Sequence, residues 1–251
     1  MSTQQLKDKV ALVTGGTTGI GLATAQLFAE EGARVIVTGR NPERVAQAQE
    51  TLGSAVKVLQ SDAADGESIK SLVKTIESQY GRLDVLFANA GVALFAPLEQ
   101  LEESHFETLF NVNLKGPWLL LKHALPLLKQ GSSVIVTTSV VHQRGMPGSS
   151  LYAATKAGLR AFVRVAAAEL APRGIRINAV SPGPVETPIF GKMGMPQEAM
   201  QEMAQGIVRQ IPLQRFGKPE ELAQAALFLA SDRSSFVHGA ELDVDGGMAQ
   251  A

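Results

Sequence analysis

Residues 10–21 read VALVTGGTTGIG. An apolar, β-branched run, Val10 to Thr14, ends at a glycine pair, and a helical pattern begins at about residue 19. The stretch is therefore a strand turning directly into a helix. Six further short runs of the same kind follow: Arg34 to Thr38, Ala55 to Gln60, Leu83 to Ala88, Ser133 to Thr138, Ile175 to Val180 and Glu241 to Val244. Helical patterns lie between them at about 19–31, 42–52, 66–80, 102–113, 117–129, 152–171 and 219–230. The strands read as nearly continuous apolar runs, which is how strands covered on both faces look. Such alternation predicts an α/β fold: a single doubly wound, Rossmann-like domain with a seven-stranded parallel sheet, helices on both faces and right-handed crossovers. No linker, charge block or repeat divides the chain, so one domain is expected over 1–251. The longest unassigned stretch, 181–218, contains Gly183, Pro184, Pro188, Gly191, Gly194, Pro196 and Gly206. Long loops in compact domains usually serve function, and a lid over a site is expected at about 183–215.

The composition narrows the chemistry. The 251 residues carry 23 Lys plus Arg against 24 Asp plus Glu, a formal net charge of -1. That balance leaves no electrostatic footprint for nucleic acid or an anionic membrane. The longest apolar run has six residues, Ala225 to Ala230, far short of the roughly 20 that span a bilayer. Cysteine is absent, which removes disulfides, thiol nucleophiles and zinc-thiolate sites together, and no metal site is expected. The beginning MSTQQLKDKV has no apolar stretch of the signal-peptide kind, so the expected compartment is the cytoplasm.

The glycine turn holds Gly15, Gly19 and Gly21, with Thr17, Thr18 and Ile20 between them. Glycine lets the backbone approach a ligand closely, and exposed amides at a helix start attract a pyrophosphate. The spacing is GxxxGxG rather than GxGxxG, so this argument runs through mechanism and not through the usual fingerprint. A tight turn with no ligand is the alternative. At the end of the second strand a carboxylate suits the ribose of NAD and an arginine the extra phosphate of NADP. Here stand Thr38, Gly39 and Arg40, while Glu43 lies beyond Pro42. NADP(H) is favoured and NAD(H) remains possible.

Tyr152 and Lys156 are four residues apart in a predicted helix and share one face. Ser139 ends the fifth strand, at the edge of the sheet where ligands bind in open parallel folds. The three can meet. A tyrosine has a reference pKa of about 10, and proton exchange near neutrality asks for a lowering of roughly 2 to 3 units. An ammonium about 5 Å away supplies an energy of that order, about 3 kcal/mol at an effective dielectric of 20. A serine hydroxyl aimed at a carbonyl oxygen stabilises developing charge. Taken alone, however, YxxxK is a common helical pair.

Taken together these residues resemble the short-chain dehydrogenase/reductase family, in its form of roughly 250 residues and over essentially the whole chain. The matching motifs are TGGTTGIG at 14–21, Asp62 after the third strand, ANAG at 88–91, Asn113 in NVNLKG, Ser139, YAATK at 152–156 and PGPVETP at 182–188. The resemblance implies an oxidoreductase that passes a hydride between NADP(H) and a carbonyl or secondary alcohol. Tyr152 is then the acid/base, Ser139 polarises the carbonyl, and Lys156 holds the nicotinamide ribose and lowers the tyrosine pKa. Asn113 anchors the water that continues the proton relay. Asp62 meets the adenine amino group, Asn89 and Gly91 line the cofactor channel, and Thr187 contacts the nicotinamide carboxamide; Ala63, Ala90, Pro182, Gly183 and Val185 are further cofactor-binding positions. Two departures from the family pattern matter. ANAG replaces the commoner NNAG, and Leu151 stands where 3-oxoacyl carrier-protein reductases usually have Asn. The second weakens that activity as a reading, with Lys129 and Arg173 as its candidate docking cations.

For the substrate pocket, position singles out Val141, His142 and Met146 after Ser139, Val92, Leu94 and Phe95 after ANAG, and Phe190, Met193 and Met195 in the lid. The walls are mostly apolar, so an apolar ketone, aldehyde or matching alcohol is expected. An NAD-dependent sugar, steroid or polyol dehydrogenase and a non-catalytic nucleotide-binding protein are the rivals. The helix at 157–171 is apolar around most of its circumference, with Leu159, Phe162, Val163, Val165, Ala166, Ala167 and Leu170. It predicts a subunit interface, with burial inside the subunit alone as the alternative, and the resemblance implies a homotetramer or homodimer.

Overall fold

The computed structural model describes residues 4–186 and 197–250, with side chains left undescribed at 197–200. Seven strands form one parallel sheet: β1 (Val10–Thr14), β2 (Arg34–Gly39), β3 (Val56–Gln60), β4 (Leu83–Ala88), β5 (Leu128–Thr137), β6 (Arg176–Pro182) and β7 (Glu241–Val244). Their order is β3-β2-β1-β4-β5-β6-β7. The chain winds outward from β1 to β3, then crosses back to β4 and winds the other way. This reversal opens a crevice between β1 and β4 at the carboxyl ends of the strands.

The helices are α1 (Gly19–Glu30), α2 (Pro42–Leu52), α3 (Gly66–Tyr80), α4 (Glu103–Phe110), α5 (Gly116–Ala124), α6 (Ser150–Leu170), α7 (Gln197–Val208) and α8 (Pro219–Ala230). Two apolar clusters show why the sheet is covered on both faces. Leu12, Leu86, Val134 and Ile177 pack against α3, α5 and α6 on one side. Val13, Phe87, Ile135 and Val180 pack against α1 and α8 on the other. Successive residues of a strand point to opposite faces, so a strand apolar at every position feeds both layers.

The structure departs from the sequence reading at three places. β5 starts at Leu128, inside the helix expected at 117–129. Leu127 and Leu128 extend the apolar spacing of α5, but Leu128 pairs with Leu83, and a register shift then brings Ser133 opposite Val85. The helix expected at 102–113 gives way at Asn111–Lys115 to a π-helical turn, whose wider ring inserts one extra residue between α4 and α5. Third, α7 occupies part of the stretch expected as a lid; Thr187, Phe190, Met193 and Met195 lie outside the described residues.

Candidate active site

The glycine turn is shaped by contacts that exclude side chains. Gly15 and Gly19 adopt positive φ, 64° and 54°, a conformation that favours glycine. A Cβ on Gly15 would stand 2.8 Å from the Ala90 backbone. One on Gly21 would stand 2.4 Å from the Gly15 carbonyl oxygen and 2.7 Å from Asn89 Nδ2. Gly21 therefore seats α1 against the turn and is not itself a wall of the cleft. The walls on this side are Gly15, Thr17, Thr18, Gly19 and Ile20, at the amino end of a 12-residue helix. Asn89 ties the turn to β4: its Nδ2 donates to the carbonyls of Thr14 (3.1 Å) and Gly15 (3.3 Å). Its Oδ1 accepts from Thr137 Oγ1 on β5 (3.2 Å).

Further along the same cleft stand Gly39, Arg40, Asp62, Ala63, Ala90 and Gly91. Asp62 Oδ1 accepts from the Ala64 amide (2.9 Å), which turns the chain into α3. A second cation, Arg44, lines the cleft beside Arg40 and was missed by the sequence reading. The signal was there: Asn41 caps α2 by accepting from the Arg44 amide (2.9 Å), so its first turn faces the site that β2 feeds. A dinucleotide fits this donor set, because glycine amides suit a pyrophosphate and paired guanidinium groups suit a terminal phosphate.

Ser139, Tyr152 and Lys156 line the same cleft, together with Pro182 and Gly183. Ser139 follows β5 and accepts from the Val141 amide at 3.4 Å. It also hydrogen-bonds Tyr152, which lowers the phenol pKa, but burial outweighs this and holds the phenol above its ordinary value. The lowering expected from Lys156 is not seen. Lys156 is 3% exposed, and burial pushes its own pKa down to about 8. Its Nζ donates to the Thr137 carbonyl at 2.8 Å and lies 5.7 Å from the Tyr152 ring centroid. An ammonium has three protons, and this bond uses one. Phe95 packs edge-on against Tyr152, with ring centroids 5.7 Å apart.

Asn113 is fully buried, and its side chain is engaged by protein. Oδ1 accepts from Val92 N and Nδ2 donates to Val92 O, both at 2.8 Å, and Nδ2 also reaches Thr155 Oγ1 at 3.2 Å. Thr155 donates in turn to the Tyr152 carbonyl at 2.7 Å. Asn113 thus clamps the segment after ANAG to the first turn of α6.

Several expected pocket residues face elsewhere. His142 points at β7, where Nε2 meets Glu241 at 3.2 Å and Nδ1 meets the Ser139 carbonyl. Val141 is buried, and Met146 packs with Val140, Ile211 and Met248. Val185, expected at the cofactor, is buried in the α1/α8 layer and bridges to Gly217. Val92 and Ala93 do line the cleft. Arg144 donates to the Met248 carbonyl at 2.9 Å and so serves the C-terminal loop. Arg173 donates to the Leu125 and Leu128 carbonyls, at the opening of β5 and thus at the far end of the sheet from Ser139. Among the described residues no group of three or more metal-ligating side chains occurs, and no helix is long and apolar enough to cross a membrane.

Comparison with known proteins agrees with this geometry. Residues 15–249 match a family model described as enoyl-(acyl carrier protein) reductase. A 3-oxoacyl-[acyl-carrier-protein] reductase of Thermotoga maritima is 42% identical over 249 residues, covering 97% of this chain and 99% of the relative. A cis-4-hydroxycyclohexanecarboxylate dehydrogenase of Sinomonas cyclohexanicum is 41% identical, covering 96% of each. A solved structure described as a short chain dehydrogenase/reductase family protein superposes with a TM-score of 0.85 at 39% identity, covering 98% of this chain and all of the other. Sequence motifs, sheet order, family model and solved relatives converge: the chain belongs to the short-chain dehydrogenase/reductase family and is an NAD(P)-dependent oxidoreductase acting between CH–OH and C=O groups.

Proposed function

We propose that the protein is an NADPH-preferring carbonyl reductase, reversible as an alcohol dehydrogenase, acting on an apolar ketone or aldehyde. The observation that carries the reading is that Ser139, Tyr152 and Lys156 share one cleft with the glycine turn. When bound there, a reduced nicotinamide supplies a hydride. Tyr152 donates its phenolic proton to the carbonyl oxygen, and a phenol held above its ordinary value arrives protonated. Ser139 Oγ–H bonds that oxygen as charge develops on it. Below pH 8 Lys156 remains an ammonium, and at 5.7 Å from the ring centroid it is a cation beside the phenolate left behind. Its remaining protons are placed to hold ribose hydroxyls.

Cofactor preference rests on Arg40 and Arg44, with no carboxylate at the end of β2. Arg40→Ala is expected to raise KM for NADPH at least about tenfold while leaving NADH nearly unchanged, since only the first carries the phosphate. Initial rates with both cofactors check this, and equal losses would count against it. The substrate reading rests on Val92, Ala93 and Phe95 near Tyr152. A panel of apolar ketones, aldehydes and a 3-oxoacyl thioester tests it. Faster turnover of the thioester would favour the second reading, to which the 42% identity with a 3-oxoacyl-[acyl-carrier-protein] reductase points.

The working form we propose is a homotetramer or homodimer. Val165 on α6 is 60% exposed and Phe106 on the neighbouring α4 is 46% exposed, while Leu159, Val163, Ala166, Ala167 and Leu170 turn inward. Val165→Glu is expected to shift the mass measured by light scattering toward the monomer. An unchanged mass would exclude this face.

A further inference from the structure

Behind the catalytic groups lies a charged cluster that the proposed reaction does not use. Glu241, the first residue of β7, has a carboxylate with partners on two separate elements. Oε1 accepts from Thr138 Oγ1 at 2.5 Å. Oε2 lies 3.2 Å from His142 Nε2 and 3.3 Å from Arg160 Nε. Thr138 and His142 flank Ser139 in the turn after β5. Arg160 lies one helical turn beyond Lys156 and two beyond Tyr152, on the same face of α6, and its Nη1 donates to the Gly239 carbonyl at 2.9 Å. The side chains of His142 and Glu241 are 9% and 10% exposed. A carboxylate so enclosed, with every partner engaged, is a rigid joint.

The protonation state follows from the geometry. His142 Nδ1 faces the Ser139 carbonyl and Nε2 faces the Glu241 carboxylate. Both are acceptors, and only the imidazolium donates from both nitrogens. The charged and titratable groups around it are Glu241 and Asp243 from β7, with Arg160 on the far side of Glu241 from α6 and Arg164 beyond it. The Ser139 carbonyl supplies its remaining polar contact.

We infer that Glu241 is a positioning residue for the reaction: by gripping Thr138 and protonated His142 on one side and Arg160 on the other, it fixes Ser139 relative to Tyr152 and Lys156. This rests on the catalytic reading above. It adds that the alignment of Ser139 is complete only while His142 carries its proton. The Glu241 carboxylate raises the His142 pKa above 6.5, so the joint is complete at low pH and loosens as pH rises through that raised value. In the reductive direction kcat steps down there.

Glu241→Gln keeps the size and an acceptor for Thr138 but removes the charge. It is expected to lower kcat about tenfold or more with KM for cofactor unchanged, because small misplacements of reacting groups are costly, and to move the pH step lower. His142→Gln should lose the step altogether. The double variant should be no slower than the slower single one, since both substitutions open one joint. A purely structural pair would lower Tm and leave kcat and its pH profile in place, and that result would overturn the inference. If Glu241→Gln fails to fold, His142→Gln and the wild-type profile still decide. Proton NMR titration of the four histidines gives an arm independent of turnover, in which an unshifted His142 midpoint in Glu241→Gln also overturns it. Loss of all turnover in the wild type would instead count against the catalytic reading, which Tyr152→Phe tests separately.

Discussion

Tyr152→Phe should abolish reduction, lowering kcat by about a thousandfold or more while cofactor affinity stays within about twofold. The expected size follows from what the hydroxyl does. General acid catalysis by a placed side chain is worth roughly a hundredfold to ten-thousandfold. Here the phenol also completes the hydrogen bond to Ser139, so its removal leaves the serine to orient the carbonyl alone. The ring itself is retained, and with it the edge-on contact to Phe95 at 5.7 Å. Stability should therefore change little, and fluorescence titration of bound NADPH reports the unaltered cofactor site. Single-turnover rates separate the chemical step from product release. A variant that kept more than about a tenth of wild-type kcat would remove Tyr152 from the role of proton donor.

Lys156→Met should show a loss and a gain together. Turnover should fall at least about a hundredfold, because the variant lacks both the cation that favours the phenolate and the donor for the ribose. Stability near pH 7 should nevertheless rise. The folded chain holds this amine at a pKa of about 8, against an ordinary 10.5, through burial alone. The unfolded chain thus binds the proton more tightly, and folding is opposed wherever the folded amine must carry it. With 1.36 kcal/mol for each unit, the opposition approaches about 3 kcal/mol below pH 8 and fades as pH rises from 8 to 10.5. Loss of the bond to the Thr137 carbonyl offsets about 1 kcal/mol. Methionine is then expected to be about 2 kcal/mol more stable at pH 7 and to lose that margin by pH 10.5. Urea denaturation of variant and wild type at several pH values checks the sign. A variant that was less stable at pH 7 would show that Lys156 is held by interactions stronger than its desolvation.

Much of the fold was legible because the strands are apolar on both faces: Val10–Thr14 and Arg34–Gly39 are buried almost throughout, and a periodicity of that kind needs no long-range information. That Ser139, Tyr152 and Lys156 share one cleft was legible through motif order, and their meeting follows from the carboxyl ends of parallel strands facing one way. What failed to show were contacts between segments distant in sequence. His142 was read as a pocket residue, yet its partner Glu241 lies 99 residues away. Nothing near residue 142 announces a carboxylate waiting on β7. Arg44 escaped for a milder reason, since a cation in the first turn of a helix looks like an ordinary solvated side chain. The helix predicted through 129 failed because Leu127 and Leu128 satisfy the spacing of α5 and the pairing of β5 equally well.

The π-helical turn at Asn111–Lys115 has a consequence for how this chain tolerates change. A regular rod from α4 to α5 would need one residue fewer, so the segment carries a surplus. Removing that residue would improve the local hydrogen bonding, yet it would rotate everything downstream by about 100°. Leu120 and Leu121 would swing out of the core, and the Asn113 amide would leave Val92. Single-residue deletions at 111–115 should therefore be ruinous where point substitutions at exposed Lys115 are harmless. The length of this stretch is under tighter constraint than its spelling.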